Sequence, residues 1–175
     1  MSLETVKSSK QRVPKQVDRE RLIQTLSLQY PDLSATEIMS LEGIRVIYSR
    51  KTRRVSYVYL DGEHILSLRT SDGRYLPTFG GACQLLKYGV DGLNILVHTD
   101  AVPFVADGRS LYNKHVLEVG SDIRPGSEVF LLSPDQELLA TGISMHPGYA
   151  MLQLESGIAV KVKHARNKYM QRATK

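Results

Sequence analysis

Short β-branched and aromatic runs, cut at close intervals by Gly, Pro and Asp, leave the second half of this chain little room for long helices. Turn signals recur at Ala106-Asp-Gly108, Arg124-Pro-Gly126, Ser133-Pro-Asp135 and His146-Pro-Gly148. Between them lie Val129-Phe-Leu-Leu132, Leu138-Leu-Ala-Thr141 and Ile158-Ala-Val-Lys-Val162, each of strand composition. Turn signals at roughly 8–20-residue intervals point to a small closed or nearly closed barrel. The stretch from Leu111 to Glu118 reads as opening with a helical turn. Gly108 and Gly126 permit turns with unusual dihedrals, Pro125 pre-sets one of them, and Gly157 reverses the chain before the last strand.

The first half mixes periodicities. Residues 1–15 are polar and basic with no period, and read as a flexible arm. Leu22, Ile23, Leu26 and Leu28 follow helical spacing, with Asp18 as the N-cap and Tyr30-Pro31 as the stop. Ser34-Ala-Thr-Glu37 has the form of a capping box for a second short helix. Ile44–Tyr48, Val55–Leu60 and His64–Leu68 are strands, joined by Lys51–Arg54 and by the hairpin signal Asp61-Gly62. Thr78 caps a helix running through Leu85, Leu86 and Tyr88 to Gly89, and Leu93–Val97 is one more strand. The fold class is α+β. Its segments are an arm over 1–15, an α+β domain over 16–98, a small mixed β-barrel over 99–166 and a basic tail over 167–175.

Composition narrows the chemistry. With 42% hydrophobic residues the chain can bury a core, and its net charge of +5 is unevenly placed. No acid follows Glu155, whereas Lys161, Lys163, Arg166, Lys168, Arg172 and Lys175 crowd the end. Lys7, Lys10, Arg12, Lys15 and Arg19 outnumber Glu4, Asp18 and Glu20 at the start. Clustered cations suit a polyanion, since neutralised phosphates release counterions; a solvated tail has the same composition. A single cysteine, Cys83, excludes a disulfide framework and a multi-cysteine zinc site. No apolar run approaches the roughly 20 residues that span a bilayer, and the N-terminus is too polar for a signal peptide, so a cytoplasmic protein is expected.

Catalytic candidates are few. Cys83 has no histidine signature beside it and falls on the apolar side of its helix, which reads as a buried structural thiol. His98, Asp100, His115, His146 and His164 form no recognised metal spacing. Gly80-Gly81 lacks the rest of a phosphate loop and is explained by helix packing. Asp18/Glu20 and Asp135/Glu137 are solvated pairs in an arm and a turn. No catalytic residue, metal site or cofactor is expected.

Four ordered pieces carry a resemblance: Gly108-Arg-Ser-Leu-Tyr-Asn-Lys-His-Val116, Ile123-Arg-Pro-Gly-Ser-Glu-Val129, Leu138-Leu-Ala-Thr-Gly-Ile-Ser144 and Gly157-Ile-Ala-Val-Lys-Val-Lys163. From about Asp100 to Arg166 they resemble a PUA domain. Ser127 stands where that family commonly has Asp, and Thr141 interrupts a frequent small-residue run. Asp72-Gly-Arg-Tyr-Leu-Pro-Thr78, Leu85-Leu-Lys-Tyr88 and Ala101-Val-Pro-Phe-Val105 resemble the pre-PUA unit of small archaeal proteins. These are similar to translation factors that pair a pre-PUA domain with a PUA domain. From Leu85 onward the chain also resembles the C-terminal tail of archaeosine tRNA-guanine transglycosylases, without their catalytic barrel.

The resemblance implies binding of structured RNA, tRNA or rRNA, often at the tRNA acceptor stem. Carried onto this sequence it places Arg109, Tyr112, Lys114 and His115 near phosphates. Ser144, Met145, His146, Lys161 and Lys163 form an opposite wall, with Arg166 beside them and Gly142 allowing a strand to bend or RNA to approach. Arg53 and Arg54 extend the surface from the first domain. Two partners are implied: a separately encoded catalytic subunit of a tRNA-modifying enzyme, or the small ribosomal subunit.

Overall fold

A computed structural model describes residues 10–174, apart from the Ala173 side chain. The chain forms two compact units, Met1–Gly89 and Val90–Lys175. Residues 1–9 of the expected arm lie outside the described residues.

The first unit comprises helices α1 (Gln16–Gln29) and α2 (Ala35–Ser40), strands β1 (Ile44–Tyr48), β2 (Val55–Leu60), β3 (Glu63–Leu68) and β4 (Tyr75–Pro77), and helix α3 (Phe79–Lys87). The strands form an antiparallel meander in the order β1-β2-β3-β4. Asp61 (φ 50°) and Gly62 (φ 86°) both take left-handed backbone, the turn that suits the twist of a tight hairpin. Leu22 and Leu26 of α1, Ile38 and Met39 of α2, and Ile44, Val46, Val58 and Ile65 of the sheet are buried together with Leu85 of α3. Removing a side chain of this kind costs about 2–5 kcal/mol.

Capping follows the sequence at α3 and departs from it at α1. Thr78 accepts from the Gly81 N–H at 3.1 Å, and its hydroxyl donates to the His64 carbonyl at 2.6 Å. A methyl on Gly81 would strike the Ile65 carbonyl, so α3 lies directly on β3 and the glycines serve packing. Helix α1 begins at Gln16, with Lys15 and not Asp18 at its N-cap, three residues earlier than expected. Asp18 therefore sits in its first turn, where a carboxylate suits the helix dipole, and accepts from the Tyr48 hydroxyl at 2.9 Å. Ser34 precedes α2 but makes no side-chain cap. Part of the expected arm is ordered too: Arg12 exchanges two backbone hydrogen bonds with Val46, at 2.9 and 2.8 Å, on the free edge of β1.

The second unit runs β5 (Asn94–Val97), a 3-10 turn (Thr99–Ala101), α4 (Val102–Ala106), β6 (Leu111–Tyr112) and a 3-10 turn (Asn113–His115). It continues with β7 (Val116–Val119), β8 (Glu128–Leu132), β9 (Leu138–Ser144), α5 (Gly148–Met151), β10 (Ile158–Ala165) and α6 (Arg166–Ala173). These strands make one six-stranded, nearly closed sheet in the order β6-β10-β9-β8-β5-β7. Every neighbouring pair is antiparallel except β5 and β8. That parallel pairing, Asn94 opposite Phe130, places β5 in the second unit, so the boundary falls after Gly89 and not after residue 98. Parallel partners share no hairpin turn, and nothing local in the sequence advertises them. Instead of the expected helical turn, Leu111 opens a short strand that precedes the 3-10 turn. The expected basic tail is largely a helix, α6.

Candidate nucleic-acid interface

Helix α4 begins with Pro103 in its first turn, a position where the missing N–H costs nothing. The turn that follows brings Phe104, Arg109, Tyr112 and His115 around a pocket of about 230 Å³. Phe104 is 51% exposed and Tyr112 49%, unusual exposure for aromatic rings. The Arg109 guanidinium lies 5.3 Å from the centre of the Phe104 ring, a cation–π contact that holds the charge at the rim. Flat rings in water beside a cation are the parts of a base-stacking platform.

His115 Nδ1 lies 3.3 Å from Asp100 Oδ1, and His98 Nδ1 is 2.7 Å from the same oxygen. Partial desolvation would raise the Asp100 pKa, but hydrogen bonding and charge from His98 and His115 together hold it below its ordinary value.

The segment carrying Lys114 is clamped. Asn113 is 2% exposed; its amide donates to the Ser156 carbonyl at 2.7 Å and its backbone N–H to Gly157 at 3.0 Å. Helix α6 folds back over the α4–β6 turn, with Asn167 donating to Asp107 at 2.5 Å. Gly108 has φ 95°, and a Cβ there would meet the Lys168 ammonium at 2.9 Å. Lys168 thus reaches the residue preceding Arg109. Sequence reading missed it as a tail residue and missed Phe104; an aromatic directly after Pro103 in the first turn of the helix was the available signal for the latter.

The other expected residues divide by their partners. Lys161 is exposed on β10 opposite Ile143. Lys163 pairs at 3.1 Å with Glu128, which is only 2% exposed, and Arg166 pairs with Glu137 at 2.8 Å. Among the described residues the ion pairs leave Arg109, Lys114, Lys161 and Lys168 uncompensated. Ser144 corrects the expectation of a binding role: it is 1% exposed and its hydroxyl donates to the Arg124 carbonyl at 2.5 Å. Its backbone bonds to Ser127 and Gly126, at 3.0 and 2.8 Å, pin the same turn. Met145 is exposed and His146 half-buried just beyond β9. Gly142 is buried against the Lys161 backbone, so it serves strand packing and not RNA approach. Arg53 and Arg54 stand on the β1–β2 turn of the first unit.

Cys83 is exposed on α3, not buried as expected. Burial of part of the side chain, then the Glu63 carboxylate, push its thiol up from the ordinary value, which disfavours the nucleophilic thiolate. Among the described residues no group of three or more His, Cys, Asp or Glu could hold a metal ion. No described helix is long and apolar enough to cross a membrane.

Comparison with known proteins assigns the two units. Residues 94–166 match the PUA domain, so the barrel with its α4–β6 pocket is a PUA domain. Residues 20–89 match the patch-forming domain C2 of tRNA-guanine transglycosylase, and the chain is homologous to the C-terminal region of the archaeosine enzymes. The tRNA-guanine(15) transglycosylase of Methanothermobacter thermautotrophicus is 30% identical over 148 residues, covering 83% of this chain and 22% of that protein. The chain thus spans about a fifth of the length of the curated relatives it matches. Among solved structures, a hypothetical protein from Pyrococcus horikoshii superposes with a TM-score of 0.66 at 19% identity, over 93% of this chain and 98% of that one. A PUA domain from Aeropyrum pernix, solved with tartrate, gives 0.66 at 21% identity, over 89% and 85%. These two likenesses show the fold.

Proposed function

We propose that the chain is an RNA-binding protein without catalysis of its own, which engages structured RNA such as the tRNA acceptor stem through its PUA domain in the service of tRNA modification. The observation that carries this reading is the α4–β6 pocket, where exposed Phe104 and Tyr112 stand beside uncompensated Arg109, with Lys168 reaching the neighbouring Gly108. The cations meet backbone phosphates without regard to sequence, and the rings take an unpaired base at a helix end. PUA-domain proteins are RNA-binding, and the relatives are named for a tRNA guanine. The matched region is about a fifth of the length of those enzymes, and on this reading the chain brings RNA to a catalytic partner.

Stacking of a base on an aromatic ring is worth about 1–3 kcal/mol. Phe104→Ala and Tyr112→Ala are each expected to weaken binding of deacylated tRNA by roughly 5- to 150-fold. The loss should vanish on tRNA trimmed of its unpaired 3′ end. Equal losses on intact and trimmed tRNA would remove the stacking role.

A further inference from the structure

The first unit has a basic concavity of its own. A groove of about 810 Å³ opens between the start of α1, the edge of β1 and the β1–β2 turn. Lys10, Arg12, Lys15, Arg21, Arg50 and Arg53 line it, and among the described residues Asp18 is its one acidic lining residue. That carboxylate is already engaged, by the Tyr48 hydroxyl at 2.9 Å and by Arg21 at 3.9 Å. Six cations against one carboxylate leave five positive charges, and Arg21 alone among the six has an ion pair within the described residues.

The backbone builds this groove by definite means. The two hydrogen bonds between Arg12 and Val46 fasten the basic segment to the free edge of the sheet. Lys15 is the residue from which α1 starts, and its N–H lies 3.4 Å from the Tyr48 hydroxyl. On the opposite side the turn is closed by Ser49 and Arg54, and Arg53 adopts φ 56°, a conformation costly for any side chain but glycine. Like charges gathered around a concavity focus a positive potential, and their mutual repulsion is relieved only by an anion. The cations are exposed and strung along an open groove, not buried around one point. That arrangement suits an extended chain of phosphates and not a single small anion.

We propose that this groove is a second, sequence-blind RNA-backbone site; the inference rests on the RNA-binding reading of the PUA domain but uses none of its residues. Each phosphate neutralised contributes about 0.7–0.9 to the slope of log affinity against log salt. In the full chain, the triple variant Arg12→Ala/Arg50→Ala/Arg53→Ala is expected to flatten that slope for fluorescent total tRNA by roughly 2–3. Lys51→Ala, on the same turn but outside the groove, should flatten it by less than one phosphate's worth. Thermal melts of the variants check that the fold persists. A triple variant that melts normally and keeps the wild-type slope, while Arg109→Ala/Lys114→Ala lowers it, overturns the groove and leaves the PUA reading standing. Wild-type protein that fails to bind tRNA at low salt overturns both. Loss of binding to phosphatidylserine vesicles in the triple variant, with the tRNA slope unchanged, overturns it in favour of a membrane surface.

Discussion

Lys161 and Lys163 stand two positions apart on β10 and do different work. Lys163 compensates the Glu128 carboxylate, which is 2% exposed and has little water to fall back on. Removing one partner of a fully buried pair costs about 3–5 kcal/mol; with Lys163 at 40% exposure, Lys163→Ala is expected to cost about 1–3 kcal/mol. Lys161→Ala should stay within about 0.5 kcal/mol of wild type yet weaken RNA binding. Urea unfolding beside a tRNA titration separates the two, and equal stability losses would contradict the division. His164 adds a pH dependence. Partial desolvation of the ring, opposed by Glu128 and joined by Lys163 and Arg172, holds it below the ordinary histidine value. The unfolded chain therefore takes up this proton first as pH falls. Its stabilising contribution is complete above about pH 6.5 and declines below it, and His164→Gln should flatten that decline in urea titrations between about pH 7.5 and 5.5. At this scale the sequence told which residues are basic but not which are free. Lys163, Arg166 and Ser144 are committed by partners distant in sequence, and Cys83 faces outward because α3 is rotated by the close approach of Gly80 and Gly81 to β3.

At the scale of elements, strands joined by tight turns were legible almost to the residue. Ile44–Tyr48 and Val55–Leu60 carry β-branched and aromatic residues throughout, and Asp61-Gly62 sets the hairpin that follows. The Thr78 cap and the helix behind it were equally legible, since both depend on neighbours in sequence. Three elements were less so. Tyr75–Pro77 is too short to show a period; β5 reads as a strand, but its parallel partner more than 30 residues away does not show; and α6 has hardly an apolar face to betray a helix. What orders α6 is tertiary, through Arg166 to Glu137 and Asn167 to Asp107. The packing of α3 on β3 gives a direct test of this level. Gly81→Ala places a methyl against the Ile65 carbonyl, and the overpacking is expected to cost about 1–3 kcal/mol in thermal or urea unfolding. Unchanged stability would mean that α3 does not rest on β3 this closely.

For the molecule as a whole, with a net charge of +5, cations gather around the β1-edge groove of the first unit, and Arg109 stands at the aromatic-lined α4–β6 pocket of the second. The class of fold was legible because the order of turns and strands across the last third of the chain has few solutions other than a small barrel. Of the residues that line the candidate pocket, Arg109, Tyr112 and His115 were named from the sequence, while Phe104, and Lys168 beside Gly108, emerged only with the fold. The most direct test of the RNA-binding reading is the affinity of the full chain for total tRNA, by fluorescence anisotropy across a salt series, with Lys114→Ala and Lys168→Ala alongside wild type. Saturable binding that falls steeply with salt is expected, with each variant shallower by about 0.7–0.9 in slope. No binding by the folded protein at low salt, or slopes unchanged in both variants, would contradict it.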